Sequence, residues 1–254
     1  MAKKNYSLLR MTPSKESRDL LTAKPDLVEL NNETGSEAVN SAKTFAFWVH
    51  LGFKYHPAYP AFIKSTPPRI ADYFEAGDFS RDGWYSVFTH GLFVSLLSKD
   101  DIAFSRLCEW AKPKVKRDDY CPADEEELIA PLVVAGLFQS KPSVKFRQNA
   151  DKVVSSRKKE FKLLGKALIS LFENDQGLFE SSVREHVQIY QTKPLPQVSR
   201  AGKLEIGTTT HMERWCSIPM NIIYQAGLKL GMADPKFPPE IMAYLVTPKS
   251  AGLA

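Results

Sequence analysis

The side chains in this sequence able to do chemistry are few and widely spaced. The histidines are His50, His56, His90, His186 and His211. No two sit at i, i+4, the spacing that puts two imidazoles on one helix face for a zinc ion. The cysteines, Cys108, Cys121 and Cys216, are odd in number and form no close pair. That excludes a disulfide framework and a zinc site of C-x-x-C type. Neither a serine-nucleophile elbow G-x-S-x-G nor a phosphate loop G-x-x-x-x-G-K-[ST] occurs. The expectation is a protein with no metal, no cofactor and no enzymatic activity.

Three clusters still merit weighing. His211, Glu213 and Cys216 carry the groups of a Cys–His nucleophile pair. Five helical positions turn through about 500°, however, so the imidazole and the thiol face apart. Thr210 and Glu213 fit a capping box better, with Trp215 and Cys216 entering the core. The acids Asp124 to Glu127, near Asp118 and Asp119, suit a first helical turn, where the dipole favours carboxylates. Glu125 and Glu126 stand as candidate partner contacts. Residues 141–166 hold nine Lys and Arg against Asp151 and Glu160, a local charge of +7. There Lys158, Lys162 and Lys166 fall at i, i+4, i+8, opposite the apolar Phe161, Leu164, Leu168 and Phe172. Such a row is either the solvated side of an amphipathic helix or a stripe for phosphate or an acidic protein. No aromatic residue interleaves with the lysines, so base stacking is not favoured and nucleic acid is not the expected partner.

The elements that position these residues read as helices. Apolar positions recur at helical spacing from Ser36 to Phe53 and from Trp84 to Leu97. Asp100 is placed to cap a helix from Ile102 to Trp110, followed by a charged connector from Lys112 to Asp119. Further helices are expected up to Phe138 with a kink at Pro131, from Ser143 to Phe172 with a break near Ser155-Ser156, and from Leu178 to Tyr190. The last long helix is expected to open at Thr210, to be interrupted by Pro219, and to end at Gly231. A short segment, Glu240 to Val246, closes the chain. Four prolines between Tyr55 and Pro68 predict turns, and Pro68 then starts a short helix ending at Gly77. Lys203 to Ile206 is the one strand candidate. The fold class is all-α.

An internal echo refines that class. Leu96-Leu97-Ser98-Lys99-Asp100-Asp101-Ile102-Ala103-Phe104 resembles Leu171-Phe172-Glu173-Asn174-Asp175-Gln176-Gly177-Leu178-Phe179. In each, a helix stops, an aspartate caps the next, and a phenylalanine packs back across the hairpin; 136–144 is a looser copy. Stacked helical hairpins in a tetratricopeptide-like array follow. Residues 1–60 are expected to form a helical extension packed on a main body of residues 61–254. Composition agrees: 43% apolar and 25% charged residues are those of a globular chain, and no run reaches membrane-spanning length. The N-terminus lacks the apolar stretch of an export signal, which points to the cytoplasm. The formal charge of +5 is patchy, because residues 1–18 and 141–166 are basic and the rest is acidic.

The stretch Trp215-Cys216-Ser217-Ile218-Pro219-Met220-Asn221-Ile222-Ile223-Tyr224-Gln225-Ala226-Gly227-Leu228-Lys229-Leu230-Gly231, then Phe237-Pro238-Pro239-Glu240-Ile241-Met242, resembles the end of the Imm49 family of bacterial immunity proteins. The shared pattern is an apolar helix with a glycine stop, a proline-bearing segment and a short closing helix. The helix–Asp–helix unit from Leu96 to Phe104 is similar to the family's central region, so the likeness spans about residues 85–246. It implies a helical, non-enzymatic protein that binds and neutralises a cognate toxin effector from a polymorphic toxin system. The alternatives are a helical-repeat adaptor holding a peptide in a concave groove and a nucleic-acid-associated protein using the Lys158 stripe.

Overall fold

The structure, a computed structural model, describes residues 59–76, 84–115, 126–139, 144–192, 217–242, 244–251 and 253. Most of these residues are helical and none is in a strand. The helices are α1 (Tyr59–Ala76), α2 (Trp84–Ser98), α3 (Asp101–Val115), α4 (Glu126–Leu137), α5 (Val144–Val154), α6 (Lys159–Glu173), α7 (Gln176–Thr192), α8 (Ile218–Lys229) and α9 (Pro239–Met242). The amphipathic helices α5, α6 and α7 turn Phe146, Phe161, Leu164, Leu168, Phe179 and Val183 inward and leave their charged positions outside.

Consecutive helices pack as hairpins, α1 on α2 through α6 on α7. Between hairpins α1 stacks on α3, while α2, α4 and α6 stack into a second row. Helix α8 lies against that second row, touching α2, α4 and α6, and meets α7 at its side. Residues Met220 to Gly227 are all buried, so α8 is enclosed on every side. The inner row of a stacked array forms its concave surface. Here the face of the α2, α4 and α6 row is covered by the chain's own α8.

Close approach explains two of the glycines inside helices. A side chain at Gly165 would run into the backbone of Val153 and Val154, so α5 and α6 meet with nothing between them. At Gly227 a Cβ would lie 2.7 Å from Phe179 Cζ, and only a hydrogen leaves room for that ring. A glycine costs about 1 kcal/mol in a helix interior, and contact across the interface offsets it.

The internal echo is a repeated turn. Lys99 (φ 58°) and Asn174 (φ 51°) both take the left-handed conformation that ends a helix. The Asp100 N–H donates to Ser95 O at 2.9 Å and the Asp175 N–H to Ser170 O at 3.0 Å. Asp100 Oδ1 accepts from the Ala103 N–H, and Asp175 Oδ1 from the Leu178 N–H, each at 2.9 Å. Phe104 and Phe179 follow in buried positions. One turn chemistry therefore reverses the chain twice. Asp100→Ala and Asp175→Ala should each lower stability by about 1 kcal/mol in urea unfolding. The turns are separate, so the double variant should lose about 2 kcal/mol.

Several expectations are corrected. The segment Tyr55 to Pro68 is not a run of turns throughout, because α1 starts at Tyr59 and passes through Pro67 and Pro68. Burial of Ile63, Ile70, Ala71 and Phe74 against α2 and α3 outweighs the roughly 3 kcal/mol an interior proline costs. The connector expected from Lys112 begins late, since α3 continues past Pro113 to Val115. Pro219 does not interrupt α8. The Ser217 hydroxyl caps this helix, accepting from the Met220 N–H at 3.1 Å, and Pro219 sits in the first turn, where no N–H partner is needed. The break near Ser155-Ser156 is present between α5 and α6. The helix from Ser36, the 1–60 extension apart from Tyr59 and Pro60 at the start of α1, the capping box at Thr210–Glu213 and the strand candidate at 203–206 lie outside the described residues.

Candidate functional site

The basic residues collect on the α5–α6 hairpin. Lys158 does not continue a helical stripe; it is the N-cap of α6, with extended backbone (φ −82°, ψ 122°) and no side-chain cap bond. The two serines before it explain this. Ser155 Oγ donates to Asp151 O at 2.9 Å, and Ser156 Oγ accepts from the Lys158 N–H at 3.2 Å. Bonds of this local kind end one helix before the next begins. Lys162 and Lys166 then lie on α6 itself, one and two turns on. Arg157 and Lys159 join them at the turn, and Lys152 stands exposed near the end of α5.

Their neutralisation is uneven. Arg147 is tied down, donating to Glu173 at 2.8 Å and Asp151 at 3.4 Å. Those pairs hold its guanidinium above its ordinary pKa, the Glu173 hydrogen bond being the largest cause. Lys159 reaches Glu185 on α7 at 3.9 Å, and the Lys158 ammonium lies 4.9 Å from the Phe161 ring centroid. Lys152, Arg157, Lys162 and Lys166 have no ion-pair partner among the described residues. Arg157 and Lys159 were legible only as members of a basic run. The signal that singles them out is the serine pair, which sets them at a helix start rather than along its side.

The other candidates are placed as follows. Glu125 lies outside the described residues, and Glu126 opens α4. His211, Glu213, Cys216 and Cys121 also lie outside. Burial first, then the charge of Glu109, pushes the Cys108 thiol up to about 12, so it stays protonated at neutral pH and is no nucleophile. His186 is buried against Tyr190, ring centroids 5.2 Å apart, beside a recess with no room for a water molecule. Among the described residues no three His, Cys, Asp or Glu side chains are grouped to hold a metal ion. Likewise no described helix is long and apolar enough to cross a membrane.

The buried polar groups hold α8 and the segment after it. Asn221 Nδ2 donates to Ser217 O at 2.9 Å and Tyr244 O at 3.2 Å, and its Oδ1 accepts from the Val246 N–H at 2.6 Å. Gln225 Nε2 donates to Val246 O at 2.7 Å. The Tyr224 hydroxyl donates to Asp234 Oδ1 at 2.5 Å, and burial, with Asp234 added, raises the phenol above its ordinary pKa. Gln176 pairs with both backbone groups of Ala233. These side chains are engaged in holding the fold, and the groups left for a partner are on the outside. No protein-family model, curated protein or solved structure matches the chain.

Proposed function

We propose that this chain acts by binding a protein partner through its outer surface, as an immunity protein that neutralises a cognate toxin effector in the cytoplasm. The observation that carries the reading is α8 seated against α2, α4 and α6, the row that would otherwise be open to a peptide. A helical array normally takes a peptide along such a row; one that has covered it presents a solid body and recognises a partner by its faces. The helix, glycine stop (Gly231, φ 93°) and closing helix α9, which the Imm49 resemblance rests on, also support it. The groove-binding adaptor would require α8 to leave the core, where residues 220–227 are buried. Co-expression with the effector encoded beside it should restore growth and give a stoichiometric complex on size exclusion. An effector that still kills with this protein abundant overturns the proposal.

A further inference from the structure

Four cations stand where the helix dipole and their like-charged neighbours disfavour them, although Lys159 reaches Glu185 and Lys158 lies over Phe161. Arg157, Lys158 and Lys159 surround the start of α6, the positive end of the helix dipole, where acids are favoured and bases are not. Lys162 lies one turn from both Lys158 and Lys166, a like-charge spacing that destabilises a helix. Only Glu160 supplies an acid in that first turn. The arrangement is electrostatically uphill in the free protein and is relieved when an anionic surface covers it.

From these placements we infer that the α5–α6 basic face is a docking surface for an acidic face of a protein partner. The inference rests on the binding reading above and specifies the chemistry of that contact. Charge complementarity selects an anion, and the border selects a protein. The row from Lys158 to Lys166 covers only about 12 Å of helix. Glu185 on α7, Glu173 at the far end of α6 and Asp151 on α5 flank it, all three exposed. A nucleic-acid strand running off the patch there would meet ion pairs, Glu185 with Lys159 and the other two carboxylates with Arg147, which offer it no uncompensated positive charge. Among the described residues no exposed aromatic ring lies among the cations for a base to stack on: Phe161 is buried beneath Lys158, and Phe172 is half-buried under Arg147. An acidic protein patch of limited size fits that short basic centre and its neutralised rim.

The test uses the full chain, a labelled poly-glutamate peptide, and single-stranded DNA and RNA of matched charge, all at one low ionic strength. Poly-glutamate should bind the parent, and Arg157→Glu with Lys162→Glu should weaken it by about tenfold or more. Lys64→Glu with Lys249→Glu, exposed lysines elsewhere, should bind as the parent does. The Arg157/Lys162 variant should also melt no lower than the parent, since both changes place acids where the α6 dipole and neighbouring lysines favour them. Four results overturn the inference: no binding of poly-glutamate; equal loss in the two variants; tighter binding of either nucleic acid; or a lowered melting temperature, which would make these cations structural. None of these readouts depends on a toxin, so this inference and the immunity reading fail separately.

Discussion

A Phe179→Ala chain should unfold with about 4 kcal/mol less free energy than the parent, seen as a lower urea midpoint with an unchanged slope. Phe179 is fully buried; its ring is parallel to that of Tyr224 at 6.3 Å between centroids and lies against Gly227. The cavity is walled by α8, itself enclosed by α2, α4 and α6, and has little freedom to collapse. The corresponding Phe104 in the first copy of the turn is the control. It packs edge-on to Phe138, which is half-buried and free to move in. Phe104→Ala should therefore lose less, about 3 kcal/mol. Equal losses would show that α8 does not constrain the second site more than the first is constrained.

The second large effect is expected at Asn221, which is 1% exposed. Asn221→Leu keeps the number and branching of the side-chain heavy atoms and removes all three hydrogen bonds, leaving the buried Val246 N–H with no acceptor. A loss of about 3 kcal/mol should follow. It should be local as well as global: amide exchange at Val246 should accelerate before the α5–α6 amides do. Gln225→Leu breaks one bond to the same residue and should cost about 1 kcal/mol. An Asn221→Leu chain as stable as the parent would mean that apolar packing, not this network, holds the segment after α9.

Most helices were legible because periodicity reports which face is buried. The echo was legible down to its hydrogen bonds, since Asp100 and Asp175 carry the cap in their side chains. Periodicity does not say what covers a face. α8 reads as an apolar helix, and nothing in its spacing says that it seats among three others separated from it by long stretches of chain. The prolines misled for a related reason: local propensity penalises Pro67 and Pro68, while the opposing burial of α1 depends on tertiary contacts. At the candidate site, the excess of cations was legible and their state was not. Arg147 and Arg157 look alike in sequence, yet one is held by Glu173, a partner 26 positions away, and the other has no partner among the described residues.

The position of α8 also sets an order of assembly. The Lys229–Asp101 pair joins residues 128 positions apart, and α8 supplies the surface that α2, α4 and α6 bury. A chain emerging from the ribosome can form its hairpins one at a time from local contacts, but their inner row stays wet until α8 has been made. Nascent protein thus carries an uncovered apolar trough from the completion of α2 until α8 is made, the state in which holding chaperones bind and stalled chains aggregate. Closure joins distant segments, so it is the slow step of folding. Truncation before residue 218 should leave helices without a finished core.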